Sequence, residues 1–265
     1  MLATSPIAVS GVDIAKVIAR LCDIRVDQSL DSSQHDPEIL SRAFALDAEL
    51  AVLPESLPPA FSYSTITRDP NQSLPVNEQY RLYPYHGVIH LYNSMWISNL
   101  WNNYRYTRIL THEIILTELR KMFHHSGDSS TATDIPYEFS RSCDIMRQLA
   151  SEICATVPFQ FGLVNSKIDD FVPPATIKSS IGGFSLLFPL FTAAIVDGPG
   201  SATFDWVIST LTIIARAMGI DQALALIEVL QLEPSLTRWL DLPDDGDRWL
   251  HVDSMVSDIR LDLAV

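Results

Sequence analysis

Residues 88–125 contain no proline and no glycine, and that run constrains the fold more than any motif in the chain. Apolar residues recur through it at helical spacing: Val88, Leu91, Tyr92, Met95, Ile109, Leu110, Ile114, Leu119 and Met122. The spacing predicts one continuous helix over about residues 86–125, ~55 Å long at 1.5 Å per residue. Trp96, Leu100, Trp101, Tyr104 and Tyr106 point to several sides of it. A helix apolar most of the way round is normally buried. The expected fold is therefore all-α, a multi-helix domain around one long central helix.

The chain has 265 residues, of which 47% are hydrophobic. A chain of this size buries roughly three quarters of its unfolded surface, so a large core is affordable. The expected organisation is a single helical domain over residues 1–240 and an acidic tail over 241–265, with Trp239 and Trp249 as anchors. The net charge is -14 and the pI about 4.7. Such a surface repels both a nucleic-acid duplex and an anionic membrane, so neither direct DNA binding nor a membrane partner is expected. The longest apolar stretch, residues 184–196, carries Pro189 and is too short to span a bilayer. Cys22, Cys143 and Cys154 are far apart with no CxxC pair, so no metal site is expected, and no cofactor. No leader is expected, since the first residues lack a basic stretch followed by an apolar run. Reduced thiols in a nuclear or cytoplasmic protein are the corresponding expectation.

Shorter helices are expected over residues 12–26, 37–53, 136–156, 202–218 and 221–230. Asp36-Pro37 reads as a helix start and Gly219 as a helix end. Residues 57–84, with Pro58, Pro59, Pro70 and Pro75, read as a long extended loop packed on the core by Phe61 and Tyr63. Val157-Pro158 is expected to stop one helix. Gly182-Gly183 is expected to open another, interrupted at Pro189. Residues 126–133 read as a surface loop and 162–180 as irregular.

Motifs of catalysis are mostly absent. His112-Glu113 starts like a zinc-protease helix, but Leu116 stands where the second histidine is required. Gly183-Phe184-Ser185-Leu186-Leu187 lacks the second glycine of a nucleophile elbow. One polar constellation stands out. Trp101, Arg105, Arg108 and His112 share a face of the long helix, with Asn99, Asn102 and Asn103 alongside. Buried arginine and asparagine need partners, so a packing network with carboxylates or carbonyls of adjacent helices is the favoured reading. The alternative is a pocket for a polar ligand. The candidate ligand-binding set is Trp96, Asn99, Trp101, Asn102, Arg105, Arg108, His112 and Phe188.

Met95-Trp96-Ile97-Ser98-Asn99-Leu100-Trp101-Asn102-Asn103-Tyr104-Arg105 resembles the Trp-Asn-x-Tyr-Arg signature of the regulatory domain of fungal zinc-cluster transcription factors. Other pieces resemble that domain in the same order. They are residues 46–50 with Leu57-Pro58-Pro59, then 149–159, 183–190 with Phe188 in place of a tryptophan, and 218–223. The match spans roughly residues 35–232. The resemblance implies a regulator or co-regulator, with secondary-metabolite biosynthesis as its expected setting. It would act through transcription machinery, other regulators or a small apolar metabolite, with a homodimer as a further option. Family members usually carry a six-cysteine zinc module at the N-terminus; no such cysteines stand here, so DNA contact of that kind is not expected. An alternative is a helical domain co-opted as a cofactor-free cyclase or isomerase, with a pocket along the long helix and Arg105 or His112 as donor. A third is a purely structural or interaction fragment. An enclosed cavity between the long helix and the 184–196 helix would favour the enzyme. A solid core with an exposed apolar groove would favour the regulator.

Overall fold

A computed structural model describes residues 6–30, 36–125, 135–164 and 176–232. Among them lie seven α-helices: α1 (Pro6–Leu30), α2 (Pro37–Ser56), α3 (Met95–His125), α4 (Ile135–Gln160), α5 (Thr176–Asp197), α6 (Ala202–Met218) and α7 (Gln222–Leu232). The fold is all-α and multi-helical. α3 is the post: α1, α2, α4 and α5 all pack on it, while α6 and α7 stack outward on α5. Ile109, Ile114, Ile115, Leu116 and Leu119 of α3 are buried. α2 starts where its sequence dictates. The Asp36 carboxylate accepts from the Glu38 N–H at 2.8 Å with Pro37 next in line, which satisfies one of the free donors of the first turn. α6 opens on Ser201, whose hydroxyl accepts from the Phe204 N–H at 3.1 Å. It closes on Gly219 at φ 71°, a left-handed position that glycine fills without strain.

The long helix is shorter than its spacing predicts. It starts at Met95, and the residues before it form strand β4 (Val88–Tyr92). β4 pairs antiparallel with β1 (Tyr63–Thr67), from Tyr63↔Tyr92 to Thr67↔Val88. Apolar residues at 88, 89, 91 and 92 fit either period, and Asn93-Ser94 divides strand from helix. The Ile97 N–H donates to the Ser94 hydroxyl at 3.3 Å. Residues 57–84 are likewise not one irregular loop. They hold β1, β2 (Leu74–Pro75) and β3 (Arg81–Leu82). Phe61 is buried there and Tyr63 packs on the core. Gly87 has φ 73°, and a Cβ on it would lie 2.2 Å from the Arg68 carbonyl oxygen, so only glycine fits that crossing. Trp206 of α6 ties this region down by donating to the Tyr83 carbonyl at 2.8 Å.

Two helices end within two residues of their proline, as the sequence suggests, while Pro189 does not interrupt its helix. Pro54 and Pro158 lie inside α2 and α4, within the last turn of each. Pro189 lies inside α5, which runs on to Asp197. A proline removes one helical hydrogen bond; burial of Leu186, Leu187, Leu190, Ala193 and Ala194 around Pro189 offsets that loss. α5 begins at Thr176, so Gly182 and Gly183 sit inside the helix and not at its start. α1 and α7 also extend beyond their expected bounds. The expected loop at 126–133, most of the expected irregular stretch (residues 165–175), the tail 241–265, Trp239 and Trp249 lie outside the described residues.

Candidate functional site

Arg105 is the centre of the polar face of α3. Its side chain is 0% exposed, so its guanidinium must be satisfied from within the protein. Nε donates to Glu152 Oε2 of α4 at 3.0 Å. Nη1 donates to the Tyr92 hydroxyl at 2.8 Å and to Asn102 Oδ1 at 3.3 Å. Nη2 lies 3.4 Å from His90 Nδ1. The guanidinium carbon sits over the Tyr63 ring at 5.1 Å and the Trp101 ring at 5.5 Å, within cation–π range. Guanidinium has no acceptor, so His90 Nδ1 must be unprotonated and accept. Burial, and then the Arg105 charge, push the His90 pKa down to about 3. Burial pushes the Tyr92 phenol up to about 12, so it stays protonated and can donate to His90 Nδ1 at 3.3 Å.

His90 gives the fold a pH dependence with a definite sign. Its folded pKa lies below its ordinary 6.5, so only the unfolded chain takes up that proton as the pH falls below 6.5. Stability contributed by neutral His90 is full above 6.5 and is lost as the pH falls toward 3. One proton corresponds to a slope of about 1.4 kcal/mol per pH unit. His90→Gln, which keeps an acceptor for Arg105, is expected to flatten the stability–pH curve between pH 6 and about 4. Urea titrations of both proteins across that range check it.

A second cluster lies further along α3. Arg108 Nε donates to Asp47 Oδ1 of α2 at 2.6 Å, and Nη1 donates to the Tyr104 hydroxyl at 3.2 Å. His112 Nε2 meets the same Asp47 oxygen at 3.0 Å, and His112 Nδ1 lies 3.1 Å from the Ser142 hydroxyl of α4. Burial alone would raise the Asp47 pKa, but hydrogen bonds and charge from His112 and Arg108 hold it well below the usual carboxylate range. Serine, histidine and aspartate here stand in the order of a catalytic triad. Catalysis requires the nucleophile to reach a substrate, and Ser142 is 1% exposed. The cluster instead pins α2, α3 and α4 together.

The rest of the candidate set divides. Trp101 donates through Nε1 to the Phe61 carbonyl at 2.8 Å. Asn102 Nδ2 donates to the Thr156 hydroxyl at 3.2 Å. Asn99 Oδ1 accepts from Gln160 Nε2 at 2.9 Å. Trp96 and Phe188 do not join this interior, being 40% and 50% exposed. Phe188 meets Tyr106 edge-on at 5.0 Å, and Asn99 Nδ2 lies 3.5 Å from Ser185 Oγ. Ile181, Phe184 and Phe188 thus form an exposed apolar stripe at i, i+3 and i+7 on α5. On α3 beside it, Trp96, Asn99, Asn103, Tyr106 and Leu110 are fully or partly exposed.

A cleft of about 240 Å³ opens where α3 meets β1, α4 and the end of α2. Trp101 and Arg108 line it together with Tyr63, Tyr104, Gln148 and Glu152, among others. Sequence reasoning missed His90, Tyr92 and Tyr63, which belong to strands read as helix and loop. It also missed Asp47, Ser142, Gln148 and Glu152. A buried arginine signals that a carboxylate must exist, but the sequence does not say which.

The fold and these clusters define an all-α domain locked by buried ion pairs. No family model, curated protein or solved structure matches the chain. Among the described residues, no three His, Cys, Asp or Glu side chains converge to hold a metal ion. No helix among them is long and apolar enough to cross a membrane.

Proposed function

We propose that this chain is a regulatory domain of the fungal zinc-cluster transcription-factor type, a regulator or co-regulator in secondary-metabolite biosynthesis that works by binding and not by direct contact with DNA. The observation that carries this reading is the α3–α5 surface. Below it the packing is tight: Leu186, Leu190, Ala193 and Ala194 are fully buried, and Gly182 leaves no room for a Cβ against α4. Above it stand Ile181, Phe184, Phe188 and Trp96, exposed on adjoining helices. Apolar groups at helical spacing, with Asn99, Asn103 and Ser185 between them, suit the apolar face of an amphipathic helix from another regulator. Action in the nucleus belongs to the same proposal. The cleft beside Trp101 and Arg108 supports a second reading, a co-opted cofactor-free cyclase or isomerase.

Deletion of the gene, with both transcripts and metabolites measured, separates the two. The regulator loses transcripts of a defined gene set. A chain carrying Phe184→Asp and Phe188→Asp accumulates normally, because both side chains are exposed, yet fails to restore them. Unchanged transcripts with an accumulated precursor would overturn the regulator in favour of the enzyme.

A further inference from the structure

We infer that the cleft between β1, α3 and α4 binds a small zwitterion with an apolar or aromatic body, of the α-amino acid class. Two opposite charges line it, Arg108 and Glu152, and they are not paired with each other. Arg108 is held by Asp47 and Tyr104. Glu152 is held by Arg105 and by Gln148, whose Nε2 donates to Oε1 at 3.1 Å. Both are therefore fixed before any ligand arrives, which lowers the ordering cost of binding. Their side chains are 15% and 23% exposed. Nη2 of Arg108 has no hydrogen-bond partner among the described residues, and a carboxylate oxygen accepts more than one bond.

Charge selects the ligand class. A simple anion drawn to Arg108 meets the Glu152 carboxylate, and a simple cation drawn to Glu152 meets the Arg108 guanidinium. A molecule carrying carboxylate and ammonium on one carbon complements both. Trp101, Tyr104, Tyr63 and Leu149 line the same cleft and suit an apolar side chain. The volume of about 240 Å³ falls below the roughly 300–1,000 Å³ of drug-sized pockets, which limits the body to about amino-acid size. This site lies on a different part of the surface from the α5 stripe, and its binding does not depend on the regulatory reading.

The test is calorimetry and NMR titration of the full chain with L-tryptophan, L-phenylalanine and L-leucine. N-acetyl-L-tryptophan, lacking the ammonium, and tryptamine, lacking the carboxylate, are the comparison ligands. At least one amino acid is expected to bind and to shift resonances of Trp101 and Tyr104. Each analogue of L-tryptophan is expected to bind at least tenfold more weakly than the parent. Gln148→Trp, at an exposed position on the cleft wall, is expected to abolish binding with an unchanged melting temperature. Glu152→Gln is expected to weaken the amino acid while leaving the acetylated analogue no worse. The inference is overturned if none of the three binds, if the analogues bind as tightly as the parent, or if a folded Gln148→Trp chain binds as the native one does. Binding in vitro with transcripts unchanged on deletion would leave this site standing and remove the regulatory proposal.

Discussion

Arg105→Met lowers the unfolding free energy by about 3–5 kcal/mol, the range for removing one partner of a buried ion pair. The methionine fills most of the volume, so the loss is electrostatic and not a cavity effect. It strands Asn102 Oδ1 and leaves the Tyr92 hydroxyl and His90 Nδ1 with only their mutual contact at 3.3 Å, where all three had faced Arg105. Glu152 suffers less, because water reaches its side chain. Glu152→Leu alone also costs several kcal/mol, since it leaves a fully buried guanidinium without its counter-charge. The double variant is expected to cost less than the sum of the two, because one interaction has been counted twice. Chemical denaturation of the four proteins measures that coupling. Removal of Arg105 also takes away one of the two influences holding His90 neutral, so the folded pKa of His90 moves back toward 6.5 and its share of the acid loss ends at a higher pH and is smaller in the same variant.

Gly182→Ala is the second large effect, and its sign runs against helix propensity. Alanine is the better helix former by about 1 kcal/mol, and on an open helix it would stabilise. Here the new Cβ would lie 1.8 Å from the Gln160 carbonyl oxygen, a backbone atom of α4. Backbone cannot step aside as a side chain can, so α5 must move off α4. A net loss of about 2–3 kcal/mol is expected, typical of overpacking, and a fall in Tm of about 2–4 °C for each kcal/mol. Gly183→Ala is the internal control. Its Cβ would meet the Met218 sulfur at 2.5 Å, and a flexible thioether can turn away. The Gly183 variant should therefore lose clearly less than the Gly182 variant in parallel melts.

The central helix was legible because nothing between Met95 and His125 breaks it and its apolar residues surround the axis. The five residues of β4 were not. Val88, Ile89, Leu91 and Tyr92 fit a helix as well as a strand, and only pairing with β1, some twenty residues upstream, decides for the strand. The buried arginines were legible in kind, since Arg105 and Arg108 lie among tryptophans and tyrosines. Their partners were not, because Asp47 and Glu152 are brought to them by α2 and α4 and look in sequence like any solvated acid. Trp96 and Phe188 show the opposite limit. A large aromatic at helical spacing predicts burial, yet both lie on the outer side of a helix already packed on its other face. The glycines at 182 and 183 read as a helix start because glycine commonly ends helices. Their actual reason is the approach of α4 and α6, which no local pattern records.

Native-state hydrogen exchange tests most directly the claim that α3, locked by the charges around Arg105, is the post on which the rest depends. Amides of α3 between Ile97 and Leu119 are expected to exchange only through global unfolding, with the free energy measured by denaturant. In Arg105→Met the same amides should fall by the full loss in global stability. Exchange of this segment through local openings, well ahead of α6, would contradict the account.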